Sequence, residues 1–261
     1  MFKKFFKSEF KAALLVSCIL YPASVFAQDA SETQLLDLIS SGETAAALEL
    51  IDRNTNVNQS QSDGTTALHW AVYYDDEALV RQLIRREADV TARNEFGATP
   101  LSQAAIIGNP DIIDRLLDAG ADANEAGADG QTPLMVIARS GNLEAAEILV
   151  DDGADVNIVE KWRGQTALMW ATAQQQPQMV AFLLSNGADP DAQSSPNNWE
   201  RQVTAEPRMK VLPAGGLTPL HYAAREGCAE CTKLLIEAGA DINQTDPESV
   251  TPLLMANLNA N

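Results

Sequence analysis

Thr218-Pro219-Leu220-His221-Tyr222-Ala223-Ala224 is one copy of a block that recurs along the chain. Thr66-Ala67-Leu68-His69-Trp70-Ala71, Thr99-Pro100-Leu101, Thr132-Pro133-Leu134, Thr166-Ala167-Leu168 and Thr251-Pro252-Leu253 repeat its opening. Start to start, the copies lie 33, 33, 34, 52 and 33 residues apart. A fixed period of this length is the signature of small units stacked in a row. In the copy at 132, Thr132 is placed to cap a helix through its hydroxyl, and Pro133 suits the first helical position, where no amide donor is needed. Leu134, Ile137 and Ala138 share one face of a short first helix. Gly141-Asn142 breaks the chain, and Leu143 to Val150 forms a second helix with Ala146, Leu149 and Val150 inward. Gly153 stands where a left-handed C-cap is wanted. Neither helix buries its apolar face alone, so the pattern predicts an all-α solenoid of helix-turn-helix units held together by stacking.

Gly120-Ala121-Asp122, Gly153-Ala154-Asp155, Gly187-Ala188-Asp189 and Gly239-Ala240-Asp241 each close a second helix. With the Thr-Pro-Leu-His openings, in this order and at this period, the chain resembles ankyrin-repeat proteins from about Ser31 to the end. The resemblance divides it into an N-terminal capping repeat (31–62), repeats at 63–95, 96–128, 129–162 and 163–193, an inserted loop at 194–213, a further repeat at 214–247 and an incomplete one at 248–261. Three places depart from the pattern. Glu87 replaces the expected Gly before Ala88-Asp89, which predicts a strained turn if φ stays positive. Gln175-Gln176-Pro177 replaces the usual break and is expected to lengthen or distort the first helix of its repeat. At the end, Thr251–Asn261 supplies one helix without its partner, leaving Leu253, Leu254 and Met255 uncovered; the expectation is a fragment of a longer protein, with a frayed last half-repeat as the alternative.

Residues 1–27 read as an address rather than as fold. Lys3, Lys4, Lys7 and Lys11 precede an apolar run from Ala12 to Leu20, and Val25-Phe26-Ala27 suits cleavage before Gln28. This is the form of a secretory signal peptide. Leu15-Val16-Ser17-Cys18 also resembles a lipobox, so a lipid anchor at Cys18 is the alternative. The run is too short to span a bilayer, and no later segment approaches the ~20 apolar residues required. Export with few cysteines and a short Lys-led leader points to the periplasm of a Gram-negative bacterium. The whole chain carries 18 basic and 36 acidic residues; without four lysines and Glu9 the balance is 14 to 35, a net charge of −21. Bulk charge of this sign excludes binding to nucleic acid or to an anionic membrane surface.

Chemistry-bearing motifs are few. His69 and His221 both occupy the fourth position of the repeated block, where the resemblance implies a hydrogen bond to the neighbouring turn. No nucleophile–base constellation, metal-ligand spacing or phosphate loop stands out, so no cofactor or metal is expected and the chain reads as non-catalytic. Cys228-Ala229-Glu230-Cys231 is the one reactive-looking motif. Placed at a helix N-terminus in an exported chain, it suits a disulfide, with thiol-redox activity as the alternative.

Function is therefore expected from surface. The resemblance implies contact through turn tips and the exposed ends of first helices. Carried over position by position, the tips give Asp63, Glu95, Phe96, Asp129, Trp162 and Arg163, and the helix ends give Tyr73, Tyr74, Ile106, Ile107, Arg139, Ser140, Gln174, Arg225 and Glu226. Of these, Tyr73, Tyr74, Phe96, Ile106, Ile107 and Trp162 are large side chains that a repeat does not need there, and they are the expected contacts. The inserted loop adds Trp199 and Arg201, and with Arg208 and Lys210 it forms a basic group in an acidic chain. A protein partner is expected. The rival readings are an adaptor region attached to an exported enzyme and a thiol module using Cys228 and Cys231.

Overall fold

A computed structural model describes residues 34–51, 55–196 and 215–259. Residues 1–27, the expected signal peptide with Cys18, and Trp199 and Arg201 of the insertion, lie outside these residues. Helical residues 34–40 (α1) and Thr44–Ile51 (α2) open the stack. Helix pairs follow: Ala67–Tyr73 (α3) with Glu77–Arg85 (α4), Pro100–Ile107 (α5) with Pro110–Asp118 (α6), and Pro133–Ser140 (α7) with Leu143–Asp151 (α8). Ala167–Ala173 (α9) pairs with Pro177–Ser185 (α10), and Pro219–Glu226 (α11) with Ala229–Glu237 (α12); Pro252–Asn259 (α13) follows alone among the described residues. First helices pack on first helices from α3 to α13, and second helices on second helices from α2 to α12. The result is a two-layered all-α solenoid whose core runs through the stack.

The repeated block starts each first helix as its chemistry requires. Thr66, Thr99, Thr132, Thr166 and Thr218 are extended N-caps whose hydroxyls accept the N–H three residues on. At Thr66, Thr99 and Thr218 the bond is returned by His69, Ser102 and His221, completing a capping box. Leu68, Leu101, Leu134, Leu168 and Leu220 are buried behind it. In α8 the fully buried positions are Ala145, Ala146 and Leu149, whereas Val150, expected inward, is only half-buried.

Two kinds of side chain join one repeat to the next. His69 Nε2 lies 3.1 Å from the Ala98 carbonyl and His221 Nε2 lies 3.0 Å from that of Val250. A carbonyl only accepts, so Nε2 carries the proton, and Nδ1 accepts the backbone N–H of the capping Thr. On the other edge, Asn58, Asn124 and Asn157 each donate to the carbonyl of the residue that closes the following repeat: Glu87, Gly153 and Gly187. Each also accepts the N–H of the Asp two residues later, Asp89, Asp155 and Asp189. Thr91 holds the equivalent place in the next repeat, and its hydroxyl turns back to Asp89 instead.

The departures behave in different ways. Glu87 does keep the left-handed conformation of the glycines it replaces, with φ at 60°. Gln175 takes φ of 55° at the place where Gly141 has 78°, and α9 is one residue shorter than α7 rather than longer. The expectation of a lengthened helix is thus corrected: a single left-handed residue ends it, as Asp75 (φ 55°) does after α3. Met255, expected to be uncovered, packs against Met169, Leu217 and Tyr222, while Leu253, Leu254 and Leu258 are exposed.

Glu87→Gly removes left-handed strain and should raise unfolding stability by about 0.5–1 kcal/mol in urea melts. Burial holds the His69 imidazole below its ordinary value of 6.5. The unfolded chain then takes up the proton first, so the stability contributed by neutral His69 is full above about pH 6.5 and falls on acidification. His69→Gln should flatten the dependence of the urea midpoint on pH between about 6.5 and 5.5; an unchanged slope would contradict this assignment.

Candidate functional site

The turn before each Thr cap projects as a finger, built on a carboxylate or amide that folds the backbone over it. Asp63 accepts from Thr65 N, Asn94 from Phe96 N, Asp129 from Gln131 N and Asp246 from Glu248 N. The bond from Thr65 holds the Asp63 carboxyl below its ordinary 3.8. Successive fingers are tied together: Glu95 N donates to Asp63 O, Lys161 N to Asp129 O, and Ser195 N to Arg163 O. This approach needs glycine. A Cβ on Gly130 would stand 2.8 Å from the Lys161 nitrogen.

The fourth finger is one residue longer, which accounts for the 34-residue step. Its base is Glu160, 4% exposed, whose carboxylate accepts from Trp162 N, Arg163 N (2.6 Å) and Gln165 N (3.2 Å). The longer side chain spans the added residue, and Trp162 is lifted to the tip, 84% exposed. The insertion emerges from the next finger. Pro196 and Gly215 form an antiparallel bridge at its base, and Gly216 N donates to Ser195 O.

The expected contact residues fall in two series. Phe96 (76% exposed) and Trp162 are at finger tips. Tyr73 and Ile106 (71%) occupy the seventh position after the capping Thr, a column that continues through Arg139, Ala173, Arg225 and Leu258. Tyr74 and Ile107 sit one place on, less exposed; the Tyr74 hydroxyl donates to Ser40 O. Tyr73 also packs edge-on to Tyr74 and to Trp70, and Tyr74 stacks on Trp70, at ring separations of 5.2–6.0 Å. Arg139 and Arg225, also expected at the helix ends, lie over aromatic rings: the Arg139 guanidinium is 5.3 Å from the Trp170 ring centre and that of Arg225 is 4.8 Å from that of Tyr222. The stacking itself was not foreseen, because Trp170 and Tyr222 read only as packing residues inside the repeated block.

Cys228 is the N-cap of α12, with its sulfur accepting from Cys231 N, and the two sulfurs are bonded at 2.06 Å. Cys231 is wholly buried and Cys228 nearly so. Among the described residues no group of three or more His, Cys, Asp or Glu is arranged to hold a metal ion, and no helix is long and apolar enough to cross a membrane.

Family comparison agrees with this architecture. A model of three ankyrin repeats matches residues 13–94, 35–126 and 101–194, and a single-repeat model matches 215–247. The chain belongs to the ankyrin-repeat family. Mouse Rabankyrin-5 is 33% identical over 93 residues, 35% of this chain and 7% of that protein. Human Protein phosphatase 1 regulatory subunit 27 is 42% identical over 53 residues, 20% of this chain and 34% of that protein. The chain thus spans only a minor part of either relative. The ankyrin repeat domains of human ASB11 and of Bcl-3 each superpose with a TM-score of 0.69 at 25% identity, over 85% of this chain and 90% and 92% of theirs.

Reduction of the Cys228–Cys231 bond should lower stability by about 2 kcal/mol, the chain-entropy scale for so short a loop. Amide exchange should quicken in α11–α13 and stay unchanged in α3–α6; uniform acceleration would show that the bond does not act locally.

Proposed function

We propose that this chain is a non-catalytic protein-binding scaffold that works outside the cytoplasm, gripping its partner with the finger side of the stack and the inserted loop. The observation that carries this reading is the exposure of Phe96, Ile106, Tyr73 and Trp162 on one side of a rigid solenoid. A repeat gains nothing in its own folding from an indole that is 84% exposed. Interfaces, by contrast, draw most of their energy from such anchors. Export is supported by the Lys-led leader and the Val25-Phe26-Ala27 site. The loop enters because it leaves the finger next to Trp162 and Arg163 and carries Trp199 and Arg201. One relative is named as a phosphatase regulatory subunit, and family membership by itself fits an adaptor without chemistry of its own.

Affinity capture from the exported fraction tests the reading. Tyr73→Ala, Phe96→Ala, Ile106→Ala and Trp162→Ala together should reduce recovery of the partner by tenfold or more, on the scale of about 1.4 kcal/mol or above, with helicity and urea midpoint unchanged. Undiminished recovery by a folded variant would remove these residues from the interface.

A further inference from the structure

The finger side changes chemical character along the stack. In the seventh-position column the order is Tyr73, Ile106, Arg139, Ala173, Arg225, and three residues before each capping Thr it is Asp63, Phe96, Asp129, Arg163. Beside the acidic tips at Asp63 and Asp129, the first two repeats therefore offer apolar side chains in Tyr73, Phe96 and Ile106, and the third and fourth offer one cation each from these two series, Arg139 and Arg163. Lys161 and Arg163 flank Trp162, and both are exposed. Among the described residues, no carboxylate stands within ion-pair distance of Arg139, Lys161 or Arg163, whereas Arg93, Arg115 and Arg225 are paired with Glu125, Glu77 and Glu226.

Acidic groups are also thin in this sector of an otherwise acidic chain. Between Asp155 and Asp189 the sequence has one carboxylate, Glu160. It is buried, and its oxygens are occupied by three backbone N–H groups of its own finger. The segment 156–188 thus carries a net positive charge in a chain of net charge −18. Arg139, Lys161 and Arg163 are donors only, so a ligand that answers them must bring acceptors.

We propose that this sector docks an acidic, extended polypeptide segment of the partner, its carboxylates on Arg139, Lys161 and Arg163 and its apolar side chains on Trp162, Phe96 and Ile106. The inference rests on the finger side being the protein-binding surface and adds the chemistry of what it binds. Stacked helices lie about 10 Å apart, so the fingers of Phe96 and Trp162 are about 20 Å apart, a span of about six extended residues. A flat anionic bilayer fits less well. It would meet Asp63, Glu95 and Asp129 on the same rim, whereas a narrow strand from Phe96 to Trp162 leaves Asp63 aside and passes Asp129, whose carboxylate already accepts two bonds from Gln131.

The probe is a phage-displayed library of random peptides of about 12 residues, twice that span, selected against the full chain. Selected peptides should be enriched in Asp and Glu beside apolar residues. Arg139→Glu/Lys161→Glu/Arg163→Glu should weaken them by tenfold or more at low salt, less at high salt, and should accept the same peptides with Lys in place of Asp and Glu. All three cations are exposed, so unchanged circular dichroism and urea midpoint would show that the variant is folded. Basic or neutral peptides, or indifference to the charge reversal, would overturn the proposal. If such peptides were lost on Tyr73→Ala/Phe96→Ala/Ile106→Ala/Trp162→Ala, the protein-binding reading would stand without its acidic partner. Failure to select any peptide would remove both. Binding to phosphatidylglycerol vesicles that is abolished by the charge reversal, with no peptide selected, would give the surface to a membrane instead.

Discussion

No repeat in this chain buries its own core, so everything depends on the register between neighbours. That register is held at both edges by hydrogen bonds that one repeat cannot make by itself. Near the fingers, the imidazoles of His69 and His221 reach the carbonyl that precedes the next repeat's capping Thr. At the opposite edge, the Asn58, Asn124 and Asn157 amides read both the carbonyl and the N–H of the next closing turn. Two antiparallel bonds from one planar amide fix distance and orientation together. A sliding or tilted neighbour would leave donors and acceptors unmatched, each at a cost of about 1–3 kcal/mol if buried. Apolar contact supplies cohesion along the stack, and these polar contacts select one alignment of it.

The fingers absorb irregularity that the helices cannot. An added residue within α9 would rotate its apolar face away from the core, whereas the fourth finger takes one extra residue at the price of Glu for Asn. The longer carboxylate still reaches three N–H groups, and the finger still ties to Asp129 and to Ser195. The next finger goes further. Its two ends are joined by the Pro196–Gly215 bridge, so the 52-residue step leaves the spacing of α9 and α11 undisturbed and the two helices still pack directly. Length variation and surface variation are thereby confined to the same rim.

Much of this was legible in the sequence because it is carried by local, repeated chemistry. Thr-Pro-Leu states a cap, a permitted proline and a core residue in three letters, and Gly-Ala-Asp states the closing turn. The clamp was not legible. Asn58, Asn124 and Asn157 read as ordinary turn residues, since their partners lie about 30 positions away in the next repeat. Gln175 was misread because it takes a left-handed conformation that a non-glycine residue disfavours, so its residue type did not announce the turn. Met255 was thought uncovered because its cover comes from Tyr222 and Met169 of earlier repeats. On the surface, Trp162 stood out by its residue type and Arg139 by its place at a helix end, whereas the stacking of Arg139 on Trp170 was not legible because the two belong to different repeats.

The separation between scaffold and surface can be made within a single position. The third residue of the repeated block is Leu in every copy, and where it lies between neighbours it is buried. The seventh position after the cap occupies the same backbone site in each first helix, yet it holds Tyr73, Ile106, Arg139, Ala173, Arg225 and Leu258. Packing that is repeated and uniform cannot require residues so unlike one another. What the fold demands of this column is only that its occupants tolerate water or lie flat on a neighbour, as Arg139 and Arg225 do on aromatic rings. Its order along the stack is then free to be set by what lies against it. A solenoid offers such an ordered surface without a cleft, because rigid stacking places each residue of the column at a fixed step from the last.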